Sequence, residues 1–262
     1  MLRGVLRPFL LRRTKAAVAP ELPARTEQTL TCELEAAQRR LYDELRDHYR
    51  HRLLSGASAL AAGEQKLLVL EALLRLRQVA CHPGLVDRAR VNEPSAKLDA
   101  LESSLAEVLE EGHKALIFSQ FTSLLALVRA RLDQRGVVHE YLDGRTRDRA
   151  AHVQRFQEDP SVKVFLISLR AGGMGLNLTA AEYVYILDPW WNPAVEAQAI
   201  DRAHRIGQER PVFAYRLVAR DTVEERLLEL QRTKRELADA ILAEEAGPLA
   251  SLTREDLERL LQ

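Results

Sequence analysis

The sequence has few residues of several kinds, and each shortage narrows what the protein can be. It contains two cysteines, Cys32 and Cys81, in 262 residues, too few for a disulfide framework or a cysteine-rich zinc site. Aromatic residues make up 5% of the chain, which leaves little material for stacking single-stranded bases. No apolar run approaches the ~20 residues of a membrane-spanning helix. We therefore expect a chain of the cytoplasm or nucleus, with no membrane partner.

The chain also has no excess of either charge. Lysine and arginine number 38, aspartate and glutamate 38, and the formal net charge is zero. A globally basic nucleic-acid coat is thereby excluded, so any phosphate-binding surface must be a local patch. The start is basic up to the first acidic residue, Glu21. Such a start can be a transit peptide, but Pro8 interrupts a long amphipathic helix, and a basic strip that binds something acidic is the favoured interpretation.

Hydrophobic patterning divides the chain into an irregular start, a helical part and an alternating part. A strand-like stretch covers Thr26–Thr31, helical patterns cover 33–54 and 65–80, and the polar segment 87–94 is a candidate boundary. After Ser95, apolar runs at 115–118, 137–142, 162–167, 183–187 and 212–218 alternate with helical stretches at 122–135, 146–158 and 193–205. A last helix, 222–244, begins at a capping box. The alternation predicts an α/β fold whose parallel sheet has helices on both faces.

Ligands of such sheets bind beyond the carboxyl ends of the strands, and we expect three unusual segments there. The loop after 162–167 holds Gly172, Gly173 and Gly175, whose backbone can approach a phosphate closely. The same glycines also fit a tight strand-to-helix turn. The next segment, 188–193, contains both tryptophans of the chain between two prolines. They can pack in the core or meet a ligand, and packing is favoured for at least one.

The third segment is the predicted helix 193–205. Gln198, Asp201, Arg202 and Arg205 recur on it at helical spacing and would share one face. Two arginines one turn apart can converge on a polyphosphate, as an arginine finger does. A solvated face with an Asp–Arg pair gives the same pattern. The chain contains no G-x-x-x-x-G-K-[ST] phosphate-binding loop. Cys81-His82 has no second Cys–His pair, so no metal site is predicted.

These segments resemble the SWI/SNF-like family of the second helicase superfamily. Segment 198–208 resembles its motif VI, segment 168–177 its motif V, and segment 116–121 its motif IV. Further segments are similar to family landmarks at 6–15, 76–83, 141–146 and 188–193. The resemblance covers about residues 3–245 in the family's order.

The resemblance implies the carboxyl-terminal half of an ATP-driven translocase on double-stranded DNA. Such motors have two RecA-like lobes with the nucleotide between them, and this chain resembles lobe 2. The implied units are the tail of lobe 1 and a linker (1–31), a helical protrusion (32–94), the RecA-like lobe (95–220) and a brace helix with a tail (221–262). ATP and Mg²⁺ would be held mainly by lobe 1, which this sequence lacks. We therefore expect catalysis only as part of a two-lobed ATPase.

The resemblance also assigns roles to individual residues. Arg202 and Arg205 would be the catalytic arginine fingers. The implied nucleotide-binding residues are Gly173, Gly175, Asn177, Gln198 and Asp201. The implied DNA-backbone contacts are Gln120, Ser168, Arg170 and Gly172. The implied partners are double-stranded DNA, lobe 1 and a protein bound to DNA.

Two other function classes fit the same fold. One is lobe 2 of an RNA helicase or strand-separating helicase, against which the Trp-Trp segment and the long helical region before Ser95 weigh. The other is a non-catalytic module that binds nucleic acid or a partner.

Overall fold

A six-stranded, entirely parallel sheet forms the centre of the protein, in the order β1-β6-β5-β2-β4-β3. The computed structural model describes residue 19 and residues 21–55, 62–171 and 175–231. The strands are β1 (Arg25–Cys32), β2 (Ala115–Ser119), β3 (His139–Leu142), β4 (Val164–Ser168), β5 (Tyr183–Ile186) and β6 (Val212–Ala219). The predicted α/β fold with a parallel sheet is confirmed.

Helices cover both faces of the sheet, and two more form a hairpin beside it. They are α1 (Ala36–Ser55), α2 (Ala62–Cys81), α3 (Ala96–Glu110), α4 (Thr122–Gln134), α5 (Arg149–Glu158), α6 (Pro193–Ile200) and α7, described over 223–231. Helices α1 and α2 pack together around Tyr42, Leu73 and Leu76, and the start of α7 packs on them through Val223. None of the described helices is long and apolar enough to cross a membrane.

Strand β2 shows why the sheet is covered on both sides. All five of its residues are buried. Ile117 faces the cluster formed by α3 and α4, whereas Leu116 and Phe118 face the cluster formed by α5 and α6. A parallel strand between two helical layers is buried on both faces, so its sequence is an almost continuous apolar run.

The first strand lies at the edge of this same sheet. Its register with β6 runs from Arg25 opposite Val212 to Cys32 opposite Ala219. Most of its residues are exposed, as suits an edge strand. The boundaries 1–31, 32–94, 95–220 and 221–262 remain a prediction, but the strand preceding the helical hairpin shares a sheet with the strands that follow it.

Helix α6 is shorter than the predicted 193–205. It begins as expected, with the Asn192 side chain accepting the Ala194 N–H at 3.0 Å and a proline in the first turn. It ends at Ile200, with Asp201 as its C-cap, and turns follow. The buried Gln208 amide donates to the carbonyls of Thr179, Ala181 and Ala203, and this folds the chain back toward β6. The single helical face predicted for residues 198–205 is therefore wrong.

The cap of α7 is shifted by one residue from the predicted box. The Thr222 hydroxyl accepts the Glu224 N–H at 3.2 Å, as a helix cap should. The Glu225 carboxylate accepts the N–H of Asp221 rather than that of Thr222. The predicted part of this helix beyond residue 231 lies outside the described residues.

Candidate functional site

Three of the four predicted DNA contacts lie together at the carboxyl edge of the sheet. Ser119 is opposite Ser168 in the register of β2 and β4, and the Leu169 N–H donates to the Ser119 carbonyl at 2.9 Å. Gln120 and Arg170 therefore follow neighbouring strands. The fourth candidate, Gly172, lies outside the described residues.

The three placed residues differ in their access to a ligand. Arg170 is exposed, and it forms no ion pair with any residue that the structure describes. Ser168 is buried. Gln120 turns its side chain inward, where its Oε1 accepts from Nη1 of Arg77 at 3.4 Å, and its buried Nε2 has no acceptor within the described ranges. Of the three side chains, only that of Arg170 is presented at the surface.

Beneath this edge lies a buried ion pair between Arg77 of α2 and Asp188, which follows β5. An Arg77 nitrogen lies 3.6 Å from Oδ2 of Asp188, and both side chains are almost fully buried. Asp188 also accepts from the Ser119 hydroxyl and, at 3.2 Å, from the Gln120 N–H. Burial raises the pKa of Asp188 to about 6, although the Arg77 charge acts in the opposite direction.

Both tryptophans have packing roles. The Trp191 ring lies 5.5 Å from the Arg77 guanidinium carbon, close enough for a cation–π interaction. Trp190 packs on the core cluster of α5 and α6, and its backbone N–H donates to the Glu196 carboxylate at 2.7 Å. Both tryptophans of segment 188–193 are therefore held by contacts with the protein interior, as the favoured interpretation expects for at least one of them.

Two further arginines that were not predicted as site residues are exposed at the same edge of the sheet as Arg170. They are Arg145 and Arg147, in the loop after β3, which pairs with β4. Asp143 shapes this loop by accepting from the Arg145 N–H at 2.8 Å and the Thr146 hydroxyl at 3.1 Å. Neither arginine has an ion-pair partner in the part of the chain that is described. The sequence signal that could have identified them is a pair of arginines at alternating positions shortly after the predicted strand 137–142.

The predicted nucleotide residues form a second group, toward the opposite edge. The Leu178 N–H donates to the Arg202 carbonyl at 3.0 Å, and Nη1 of Arg205 lies 3.3 Å from the Gly175 carbonyl. Segments 175–178 and 201–205 are therefore neighbours. They lead into the amino ends of β5 and β6 because α6 runs back across the sheet. The expectation that these arginines lie at the carboxyl edge is wrong.

The members of this group differ in their surroundings. Asn177 and Gln198 are exposed. Gly175 has a positive φ of 40°, which suits glycine. Oδ1 of Asp201 accepts from Arg25 of β1 at 2.8 Å, so the carboxylate is engaged by the edge strand. Gly173 lies outside the described residues.

Arg202 is the most unusual member. Its residue is 8% exposed, and its buried Nε and Nη1 have no hydrogen-bond acceptor among the residues described. Burial lowers the pKa of Arg202, and the neighbouring Arg205 charge lowers it further. A buried cation without hydrogen bonds is costly. A bound anion would supply what these donors lack.

The described residues fit phosphate better than metal. Guanidinium groups bind phosphoryl oxygens well, whereas no group of three or more His, Cys, Asp or Glu side chains is placed to hold a metal within the described ranges. Cys81 ends α2 in a buried position. His82 caps the following turn by accepting the Gly84 N–H at 2.9 Å, and burial lowers its pKa to about 4.

Comparisons with known proteins relate most of the chain to helicase families. The profile of the helicase conserved C-terminal domain matches residues 96–207, and that of the SNF2-related domain matches residues 1–85. A Mycoplasma pneumoniae protein described as an uncharacterized ATP-dependent helicase is 37% identical over 259 residues, which is 97% of this chain and 24% of that protein. The chain thus spans about a quarter of the length of this curated relative.

Two solved structures share the fold. The Sulfolobus solfataricus SWI2/SNF2 ATPase core in complex with double-stranded DNA is 31% identical, with a TM-score of 0.76 over 99% of this chain and 55% of that one. The C-terminal domain of the Sulfolobus solfataricus SWI2/SNF2 ATPase is 28% identical, with a TM-score of 0.72 over 90% of this chain and 97% of that one. The chain therefore belongs to the SNF2-related family of the helicase superfamily and corresponds to its C-terminal lobe.

Proposed function

We propose that this chain is the carboxyl-terminal half of an ATP-dependent motor that moves on double-stranded DNA. The observation that carries the proposal is the buried guanidinium of Arg202, whose Nε and Nη1 lack acceptors among the described residues. It lies beside the segment 175–178 and the exposed Arg205. An anion-binding group at this position suits a lobe that completes a nucleotide site built mainly by another lobe.

In this proposal, Arg202 and Arg205 act on the terminal phosphate when the two lobes close. Bound ATP supplies the phosphoryl group, whose negative charge spreads over its oxygens during transfer. Arg202 is already desolvated and held by its backbone, so it meets that charge with little reorganisation. Gly173, Gly175, Asn177, Gln198 and Asp201 are proposed to line the same site. Mg²⁺ would be held mainly by the other lobe.

The proposed DNA surface is the carboxyl edge around Arg170. Arg170 is exposed and has no ion-pair partner in the described ranges. Arg145 and Arg147 share these properties on the neighbouring loop. Charged contacts of this kind bind the phosphate backbone and carry no sequence information. Gln120 and Ser168 would act through the backbone around them, and Gly172 through its N–H. Binding should therefore be weak, independent of sequence and dependent on salt.

The proposal also names partners. A lobe that carries a phosphate-binding loop would complete the motor, and a protein bound to DNA is the proposed object of its movement. The Sulfolobus structure in complex with double-stranded DNA supports the choice of duplex.

A duplex titration at several salt concentrations tests the DNA part of the proposal. Arg170→Ala is expected to make the slope of log affinity against log salt shallower by about one unit. Lys163→Ala is the matched control, because Lys163 precedes β4 at the opposite end of the strand from Ser168 and its side chain donates to the Gly112 carbonyl at 2.9 Å. Equal slopes for the wild type and Arg170→Ala would remove Arg170 from the site.

A further inference from the structure

Arg77 is the one buried arginine that joins the helical hairpin to the loops of the carboxyl edge among the described residues, and the proposed function gives it no role. We infer that Arg77 is a positioning residue for DNA binding, which holds the loops after β2 and β5 in the arrangement that presents the edge. This inference rests on the proposed DNA surface around Arg170. It concerns a residue in α2, outside the strands and loops that form that surface.

The contacts of Arg77 reach both loops at once. Its residue is 2% exposed. Nη2 donates to the Pro189 carbonyl and lies 3.6 Å from Asp188, whereas Nη1 lies 3.4 Å from the Gln120 amide oxygen. Phe121 and Trp191 place their rings 5.9 and 5.5 Å from the guanidinium carbon. The loop after β2 therefore contributes one polar partner and one aromatic ring, and the loop after β5 contributes two polar partners and one aromatic ring.

These contacts explain why the side chain is an arginine. A guanidinium is planar, carries several donors in a fixed fork and stacks on aromatic rings, whereas an ammonium is a compact point charge. Lysine at position 77 could face Asp188 but could not also reach Gln120 and Pro189. Binding two loops from one helix requires the fork.

Stability alone does not account for the pair. A buried ion pair often contributes no more than hydrophobic residues of the same size, because both charges lose their water. Asp188 is faced by Arg77 from α2, by Lys97 from α3 and by the Ser119 hydroxyl and Gln120 N–H, yet burial still raises its pKa. Such a pair is better explained by the arrangement that it fixes.

The loop after β5 is held from a second side as well. Lys97 of α3 donates to the Leu187 carbonyl at 2.7 Å, directly before Asp188. Two buried cations from two helices thus bind three successive residues. The loop is fixed along its first half, and Arg77 is the cation that links it to Gln120 beside Arg170.

The test separates positioning from stability with a charge-free double variant. Arg77→Met leaves the buried Asp188 without its ion-pair partner, so we expect a large fall in Tm. Arg77→Met with Asp188→Asn removes both charges and is expected to recover most of that fall. Its duplex affinity is nevertheless expected to remain about tenfold below the wild type, a difference of about 1.4 kcal/mol. Arg77→Lys keeps a charge beside Asp188 and is expected to fold stably with a similar loss of affinity.

Tryptophan fluorescence gives a reading that does not depend on DNA. The only tryptophans are Trp190 and Trp191, so the emission spectrum reports this loop. We expect the spectrum to change in the double variant and in Arg77→Lys. Arg75→Met is the matched control on the same helix, because Arg75 contacts Gln78 rather than either loop, and it should change neither spectrum nor affinity.

The outcomes distinguish the inference from the function on which it rests. Wild-type affinity in a stably folded Arg77→Lys or double variant, with weaker binding by Arg170→Ala, would overturn the role of Arg77 and leave the DNA surface in place. Unchanged binding in Arg170→Ala as well would overturn both. Weaker binding in the Arg77 variants, with most of the fall in Tm recovered in the double variant, is the result that the inference predicts.

Discussion

Replacing Lys97 with methionine should destabilise the protein far more than removing a surface charge. Nζ of Lys97 lies 2.6 Å from a Glu224 carboxylate oxygen and also donates to the Leu187 carbonyl, and both side chains are fully buried. Glu224 in turn accepts the Ala219 N–H at 3.0 Å. The pair therefore joins α3, the end of β5, the end of β6 and the start of α7.

The size of the effect follows from what the variant leaves behind. Removing one partner of a buried ion pair leaves the other charge buried and uncompensated, which destabilises a protein by about 3–5 kcal/mol. Total stabilities of domains are about 5–15 kcal/mol, so the loss would be a large share of the whole. Lys97→Met with Glu224→Gln removes both charges of this pair and should recover most of the lost stability.

Urea unfolding followed by circular dichroism measures these differences, with the slope m checked for constancy. Arg220→Ala is the control, because it breaks an exposed pair with Glu33, and such pairs contribute about 0–1 kcal/mol. A loss below about 1 kcal/mol in Lys97→Met, or a double variant no more stable than the single one, would refute this account of the junction.

Three more predictions concern the loops and the nucleotide. Burial raises the pKa of Asp188 from 3.8 to about 6, so the folded chain holds this proton more tightly than the unfolded chain. The free energy of unfolding should therefore fall as pH rises from about 4 to above 6, by about 3 kcal/mol, and urea titrations of Asp188→Asn should lack this part of the fall. Arg145→Ala with Arg147→Ala should make the duplex salt slope shallower by about two units, and a slope equal to that of Lys163→Ala would contradict it. The purified 262-residue chain should show no ATP turnover, because it contains no sequence of the P-loop type, and DNA-stimulated turnover that is lost in Arg205→Ala would contradict that.

The buried strands were the most predictable part of the fold. The predicted runs 115–118 and 162–167 overlap β2 and β4 closely, because each consists of apolar residues between two helical layers. Edge strand β1 was recognisable as a strand, but its place beside β6 depends on pairing across almost the whole chain. Local patterning contains no information on such a pairing.

The site was predictable in its residue types and less so in its geometry. The arginines 202 and 205 were identified by spacing, yet helical spacing is not how they come together. The helix ends at Ile200, and the buried amide of Gln208 fixes the turns that follow by donating to the carbonyls of Thr179, Ala181 and Ala203. Gln120 was expected to contact DNA. Its side chain instead points inward, where it accepts from Arg77, which lies 43 positions earlier. Side-chain contacts over such separations decide the geometry and leave no periodic signal.

ATP turnover by a two-lobed protein containing this chain tests the central proposal most directly. Arg202→Ala or Arg205→Ala is expected to reduce the rate of hydrolysis by about 10³-fold or more, as loss of an arginine finger does. Duplex binding without nucleotide should change little, because these residues lie toward the other edge of the sheet from Arg170. Near-normal turnover in both variants would contradict the proposal and make this segment a structural turn.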